Sequence, residues 1–142
     1  MTYSFSDVSL TLSHPSLGVI STNGMGLGSI SKSMSADKTQ IDVAADGTAV
    51  TSKIKNNTGS LTLQCQQNSA LHQKLKTWLN YLTNAKTSEW ALIKAVLTST
   101  QTGEQDIFTG GSIPKHADVE YGSTIGMVTW NFVFAEVVQN KI

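Results

Sequence analysis

The sequence predicts a mainly β protein, an antiparallel β-sandwich or partly open barrel with one flanking α-helix at about 70–83. Three observations predict this class. About seven short segments alternate apolar and polar residues, which is the period of two of a half-buried strand. Turn-forming sequences such as Asp46-Gly47 separate these segments. Only one segment repeats its leucines at helical spacing.

The first predicted strand lies around Phe5–Leu12, where polar and apolar residues alternate. His14-Pro15 ends it, because proline has no N–H to donate to a strand ladder. Residues 16–36 are rich in Gly, Ser and Met, with a turn signal at Asn23-Gly24. The run Gly24-Met25-Gly26-Leu27-Gly28 invites comparison with a phosphate-binding loop, but a strand-like segment follows it where that mechanism needs a helix. We therefore expect a flexible or tightly turning loop.

The segment 37–66 is expected to form three strands joined by Asp46-Gly47 and by Asn56-Asn57-Thr58-Gly59. Asp-Gly is typical of a type I′ hairpin turn, in which both central residues have positive φ. The period of two places one face of each strand on a core and the other in water. The residues expected on the core are Ile41, Val43, Ala45, Val50, Ser52, Ile54, Leu61, Leu63 and Cys65.

A helix is predicted from about Ala70 to Thr83, with Asn68 or Ser69 as its N-cap. Its apolar stripe consists of Leu71, Leu75, Trp78, Leu79 and Leu82. Strands are then predicted at Trp90–Thr98, at Asp106–Ile113 with a bulge at Gly110-Gly111, and at 128–135. In the last strand the expected core face is Val128, Trp130, Phe132 and Phe134. No second composition regime is present, so we expect a single domain over residues 1–142.

Composition argues against several classes of function. The net charge is zero and the sequence contains no arginine, which disfavours a nucleic-acid-binding surface or a bidentate phosphate site. Only 14% of the residues are charged, and a polar but weakly charged surface tends to associate with itself. The sequence contains no predicted signal peptide and no apolar run of membrane-spanning length. We therefore expect that the protein does not associate with a membrane and that it is synthesised in the cytoplasm.

No residues with the spacing of an active site or a metal site stand out. His14, His72 and His116 share no ligand spacing and are expected at the surface, and Cys65 is expected as a small buried hydrophobe. The carboxylates are scattered, and no strained nucleophile elbow is present. We predict no catalytic residue, no cofactor and no metal. Two alternatives stay open: a small β-sandwich binding module, although Trp78, Trp90 and Trp130 follow core periodicity, and an enzyme whose groups only the fold brings together.

Several segments follow one another in an order that a known family shares. They are Thr2–Val8 before a glycine-rich loop, Asp37-Lys38, Ala45-Asp46-Gly47, Gly59–Leu63, Asn68–Leu71, Trp90 and the final Thr129–Phe134. In this combination the chain resembles the tail tube proteins of contractile-tailed bacteriophages, which are small single-domain structural proteins. The likeness covers nearly the whole chain, and no single motif in it is diagnostic.

The resemblance implies a tail-tube-like fold and a subunit that assembles with itself. Homo-hexameric rings would stack into a tube inside a contractile sheath, and DNA would pass through the lumen without specific binding. The implied partners are the sheath protein, the tape-measure protein and tail-terminator or baseplate proteins. The implied location is the virion tail, after assembly in the host bacterial cytoplasm. The tube of a phage-tail-like bacteriocin or of type VI secretion is an alternative.

Two surfaces are expected to carry this function. The expected lumen or inter-subunit face consists of Gln40, Asp42, Thr51, Lys53, Lys55, Thr62 and Gln64. The expected ring-stacking residues are Asp37, Lys38, Asp46, Gly47 and Asn57. Lysines that lined the bore would attract phosphate. We therefore expect Asp42 or Asp46 to offset Lys53 and Lys55, or one lysine to lie at a ring-to-ring contact.

Overall fold

A computed structural model describes residues 2–23 and 25–141, so the turn signal at Gly24 lies outside the described residues. One antiparallel sheet of seven strands curls into a half-barrel, and a two-stranded ribbon stands apart from it. The elements are β1 (Val8–His14), β2 (Gly18–Ser21), β3 (Leu27–Met34), β4 (Thr39–Val43), β5 (Ala49–Lys53), β6 (Gly59–Gln66), α1 (Ala70–Asn84), β7 (Ile93–Ser99), β8 (Glu104–Ser112) and β9 (Met127–Lys141). The strand order of the sheet is β2-β1-β7-β8-β9-β6-β3.

The core lies between the curled sheet and α1. The predicted stripe of α1 is buried, as are the predicted core faces of β6 and β9. Cys65 is fully buried in this core, as predicted. Each fully buried leucine in it contributes about 1.5–3 kcal/mol of transfer free energy relative to an exposed one. Helical and strand periodicity therefore placed these elements correctly.

Helix α1 begins where the capping residues predict. The hydroxyl of Ser69 accepts a hydrogen bond from the N–H of His72 at 3.2 Å, which satisfies one of the free donors of the first turn. Within the described residues, no helix is long and apolar enough to cross a membrane.

The predicted bulge in β8 is confirmed. Ile93 of β7 pairs with Gly111, whereas Ala95 pairs with Phe108, so β8 contains one extra residue between these pairs. Gly110 has a φ of +67°, a left-handed conformation that favours glycine. A side chain at Gly111 would overlap with the ring of Phe134 in β9. The bulge thus lets β9 pack closely against β8 where the sheet bends.

In the sheet, the structure differs from the sequence prediction by two additional strands and by the later start of two others. Residues 16–36 contain β2 and β3, the two outer strands of the sheet, in addition to tight turns. A 3₁₀ turn at Phe5–Asp7 precedes β1, and another at Thr87–Glu89 precedes β7, so both strands begin later in the chain than predicted. Trp90 therefore lies before the strand that was expected to contain it and is 36% exposed.

Candidate assembly surfaces

Residues 35–58, which we name the arm, continue the β3–β6 pair beyond the sheet. The ladder passes from Met34 and Gly59 through the hydrogen bond from Ser35 N to Thr58 O (3.0 Å) into β4 and β5. From its base to its tip the arm spans about ten residues of strand, or about 30 Å. Every residue of β4 and β5 is exposed.

The expectation that β4 and β5 rest on a core is wrong. Ile41, Val43 and Val50 are 61%, 66% and 60% exposed. Within the part of the chain that the structure describes, neither the sheet nor α1 covers these three side chains of β4 and β5. Because a two-stranded ribbon is at best marginally stable alone in water, these side chains mark a surface that a neighbour can cover.

The turn at the tip of the arm differs from the predicted type I′ turn. Ala44 N donates to Thr48 O at 2.8 Å, and Gly47 N donates to Ala44 O at 2.9 Å, which encloses the loop Ala45-Asp46-Gly47. Gly47 has a φ of +88°, whereas no described residue other than glycine has positive φ. This is a three-residue hairpin loop with glycine in the left-handed position. Hydrogen bonds from the backbone and side chain of Thr48 lower the pKa of the Asp46 carboxyl.

The loop length decides which side chains share a face of the arm. A two-residue Asp46-Gly47 turn would set Asp42 opposite Thr51 and Gln40 opposite Lys53. In the structure Asp42 pairs with Val50 and Gln40 with Ser52, and this shift by one residue moves one strand's side chains to the other face. The prediction that Gln40, Asp42, Thr51 and Lys53 share a face is therefore wrong.

We name the two faces after one residue each. The Asp42 face carries Gln40, Asp42, Val50 and Ser52, and the Ile41 face carries Thr39, Ile41, Val43, Ala49, Thr51 and Lys53.

Neither Asp42 nor Asp46, the two carboxylates expected to offset Lys53, lies beside it in the structure. Asp42 lies on the opposite face of the arm from Lys53. Asp46 is at the tip, about 20 Å along the ribbon from Lys53 at about 3.3 Å per residue. That exceeds the Debye length of about 8 Å at physiological salt. Lys53 and Lys55 are both exposed near the base of the arm.

The predicted stacking residues lie along the arm from root to tip. Asp37 and Lys38 are at the base, where Lys38 O accepts from Ile54 N at 2.9 Å. Asp46 and Gly47 form the tip. Asn57 lies at the root, where its carbonyl accepts from Val137 N of β9 at 2.8 Å.

Thr62 and Gln64 belong to a different surface, on the side of the sheet opposite the core. Thr62 is flanked by Ser31 of β3 and Asn131 of β9 and donates to the Asn131 side-chain oxygen at 3.0 Å. Gln64 accepts from the hydroxyl of Ser29 at 3.2 Å. We name this uncharged surface the hydroxyl array; it consists of Ser29, Ser31, Ser33, Ser60, Thr62, Gln64, Thr129 and Asn131. The prediction named only Thr62 and Gln64 of this surface. The alternation of serines at 29, 31 and 33 was the sequence signal that could have identified the β3 part of it.

The free edges of the sheet belong to β2 and β3. Lys32 of β3 points to the core side, where its ammonium pairs with the carboxylate of Asp106 and donates to Gln139 Oε1 at 3.1 Å. Asp106 is only 3% exposed. The Lys32 ammonium therefore has its partners within the subunit. Sequence reasoning missed this pair, because its residues are far apart in the chain.

Two of the three histidines are buried, contrary to expectation. His72 Nδ1 accepts from Trp130 Nε1 at 3.1 Å, and exposed His116 packs against the same indole at 5.9 Å between ring centroids. Burial, together with the charges of Lys76 and His116, lowers the pKa of His72. These contacts are structural.

The ring of His14 is held in a similar way. It accepts from Ser16 N at 3.1 Å through Nδ1 and donates through Nε2 to Glu89 O at 2.9 Å.

Burial raises the pKa of the Cys65 thiol. Among the described residues no three His, Cys, Asp or Glu side chains converge as a metal site.

The chain matches a known protein family. The family profile described as "Bacteriophage PhiTE tail tube protein" matches residues 1–141. The chain belongs to this tail tube family. It is thus a tail-tube-like structural protein of a contractile phage or of a phage-like injection system. No curated protein sequence shows significant similarity to it.

Solved structures share the tail tube fold at low sequence identity. A chain of the PVC sheath–tube complex of an extracellular contractile injection system matches with a TM-score of 0.59 at 10% identity, covering 94% of this chain and 88% of that one. A chain of the anti-feeding prophage tube-terminating cap matches with 0.64 at 8%, covering 100% and 93%. A chain of the PVC sheath/tube terminator matches with 0.62 at 12%, covering 99% and 97%.

Proposed function

We propose that the chain is the non-enzymatic subunit of a phage tail tube, in which hexameric rings stack inside a contractile sheath. The proposal rests mainly on one observation: this member of a tail tube family has an exposed apolar arm and two unpaired sheet edges. These features are liabilities in a monomer and are removed when copies of the chain cover them.

Ring closure would pair the sheet edges of neighbouring subunits. The sheet begins with β2 and ends with β3, so joining the β3 edge of one copy to the β2 edge of the next gives a continuous wall. Closing a sheet on itself removes its edges, as in a barrel. The half-barrel curvature of the single sheet supports this arrangement.

The hydroxyl array would face the bore. Its side chains are hydroxyls and amides, so it offers DNA no cationic cluster and none of the counterion-release affinity that such clusters give. Thr62 and Gln64 remain our lumen residues. Gln40, Asp42, Thr51, Lys53 and Lys55 are on the arm instead, and we assign them to contacts between subunits.

Stacking would use the arm, with Asp37, Lys38 and Asn57 at its root and Asp46-Gly47 at its tip. The sheath, tape-measure, terminator and baseplate proteins are the further partners we propose, with assembly in the host cytoplasm and a final place in the virion tail. The tube of a phage-like injection system is the second candidate, because the similar solved structures include chains of such systems.

Assembly of the purified chain tests the proposal. We expect concentrated protein to form rings or tubes in negative-stain electron microscopy and to sediment as large species. Val19 on the β2 edge is 66% exposed, so Val19→Lys should weaken ring closure without affecting the monomer fold. The matched control is Asn80→Lys on the exposed side of α1, which should assemble normally. A wild-type protein that stays monomeric at every salt concentration would refute the proposal.

A further inference from the structure

Residues 114–126, which we name the β8–β9 loop, connect the last two strands without regular structure. Gly126 O accepts from Gln67 N at 3.0 Å, and the described residues contain no other backbone hydrogen bond of this loop. Its first part is held by side chains, because Ala117 packs against the core and the His116 ring packs against an indole of β9. A segment with so few hydrogen bonds can open locally at a small cost in free energy.

The indole of Trp130 fixes the protonation state of His72. An indole N–H can only donate, so His72 Nδ1, which lies 3.1 Å from Trp130 Nε1, carries no proton and the ring is neutral. A second proton on this ring would bind at Nδ1 and would place two N–H donors opposite each other. The buried indole would then lose its acceptor. A charged His72 is therefore incompatible with this contact.

Burial and nearby charge both oppose a proton on His72. Burial is the first cause that lowers its pKa, and the charges of Lys76 and His116 add to it. The ring also lies in the first turn of α1, where the helix dipole disfavours a cation. His116 packs against the same indole, so two protonated histidines would repel each other there. Acid therefore weakens the contact that holds the start of the loop.

On the described elements around this ring, the other titratable side chains supply no buried carboxylate. β6 contributes only the thiol of Cys65, whose pKa is raised by burial. The nearest charged residue of β9 is Glu136, about 20 Å along the strand from Trp130 at about 3.3 Å per residue. The titratable residues of the loop other than His116 are exposed to water and comprise Lys115, Asp118, Glu120 and Tyr121.

We propose that the contact between His72 and Trp130 is an acid-sensitive latch: a proton on His72 opens the β8–β9 loop while the rest of the subunit stays folded. Water has to stabilise the imidazolium, and opening the weakly bonded loop is the least costly way to admit it. The exposed side chains of Tyr121 and Ile125 move with the loop, so acid changes the surface that the subunit presents. The latch acts within one subunit and does not depend on the proposed tube function.

NMR of the isotope-labelled monomer at stepwise lower pH tests the latch at both of its ends. We expect the Trp130 indole N–H signal to shift as pH falls below about 6.5, the usual histidine pKa. Over the same range the order parameter of the Ala117 amide should fall from about 0.85 to below about 0.6, the values of rigid and of flexible backbone. The Leu79 amide within α1 should keep its value and is the internal control.

Two glutamine variants assign the effect to the histidines. His72→Gln keeps an acceptor for the indole and cannot be charged, so its loop should stay ordered down to the pH of global unfolding. His116→Gln removes one of the two repelling charges, so the transition should move to higher pH.

Three results would overturn the latch. The first is a loop that loosens at the same pH in His72→Gln as in wild type. The second is a Trp130 signal that stays unchanged until all amides lose order together. The third is a transition that His116→Gln leaves unshifted, which would remove the repulsion on which the opening depends.

Discussion

Replacing His72 with phenylalanine should destabilise the fold through one hydrogen bond. The indole of Trp130 is fully buried, and its Nε1–H donates to His72 Nδ1 at 3.1 Å. Phenylalanine removes the acceptor and leaves a buried donor unpaired, which costs about 1–3 kcal/mol. At about 2–4 °C per kcal/mol for a chain of this size, the melting temperature should fall by about 2–12 °C.

Urea unfolding of four proteins isolates this bond. Wild type, His72→Phe, Trp130→Phe and the double variant form a double-mutant cycle, in which changes in packing at each site cancel to first order. We expect a coupling free energy of about 1 kcal/mol or more, since the second substitution removes the unpaired donor. A coupling near zero would refute the hydrogen-bond argument. His72→Gln, which keeps an acceptor, should fall between wild type and His72→Phe.

The same residue predicts an acid-sensitive stability. Burial is the main cause that lowers the pKa of His72, so the unfolded chain binds the proton more readily than the folded one. The stabilisation is complete above the usual histidine pKa of about 6.5 and is lost as pH falls from there through the folded pKa, with a slope of at most about 1.4 kcal/mol per pH unit. His72→Gln should flatten this slope; an unchanged slope would assign it to another group.

Three further substitutions test other parts of the fold by chemical denaturation. Gly111→Ala should cost about 1–3 kcal/mol by overpacking, because its Cβ would also lie 2.8 Å from a β7 carbonyl oxygen, whereas Gly122→Ala, with nothing within 4 Å, should be neutral. Lys32→Met should cost about 1–3 kcal/mol by leaving the buried Asp106 carboxylate without its partner, and Lys32→Arg should cost less. Ser69→Ala should cost about 1 kcal/mol through loss of the α1 cap. If Gly111→Ala were as stable as Gly122→Ala, the close packing at Gly111 would be contradicted. Equal stability of Lys32→Met and Lys32→Arg would contradict the ion pair, and equal stability of Ser69→Ala and wild type would contradict the cap.

Periodicity predicted the elements that the core covers. The α1 stripe and the core faces of β6 and β9 follow from spacing alone, because burial by the rest of the chain enforces it. The same alternation in β4 led to the wrong prediction that one of its faces is buried. A period of two describes how a strand is pleated and does not reveal whether anything covers it.

The remaining errors concern contacts that spacing does not encode. Ala45-Asp46-Gly47 is compatible with a two-residue or a three-residue loop, and this single residue decides which arm side chains share a face. The Lys32–Asp106 pair and the His72–Trp130 bond join residues far apart in the chain, so only the folded sheet brings them together.

Cryo-electron microscopy of the assembled protein would show directly which surface of the subunit lines the bore. We expect a hollow tube of stacked rings in which β3, β6 and β9 turn the hydroxyl array toward the bore and each arm lies in the adjacent ring. An assembly without a channel, or a tube whose bore is lined by α1 instead, would contradict it.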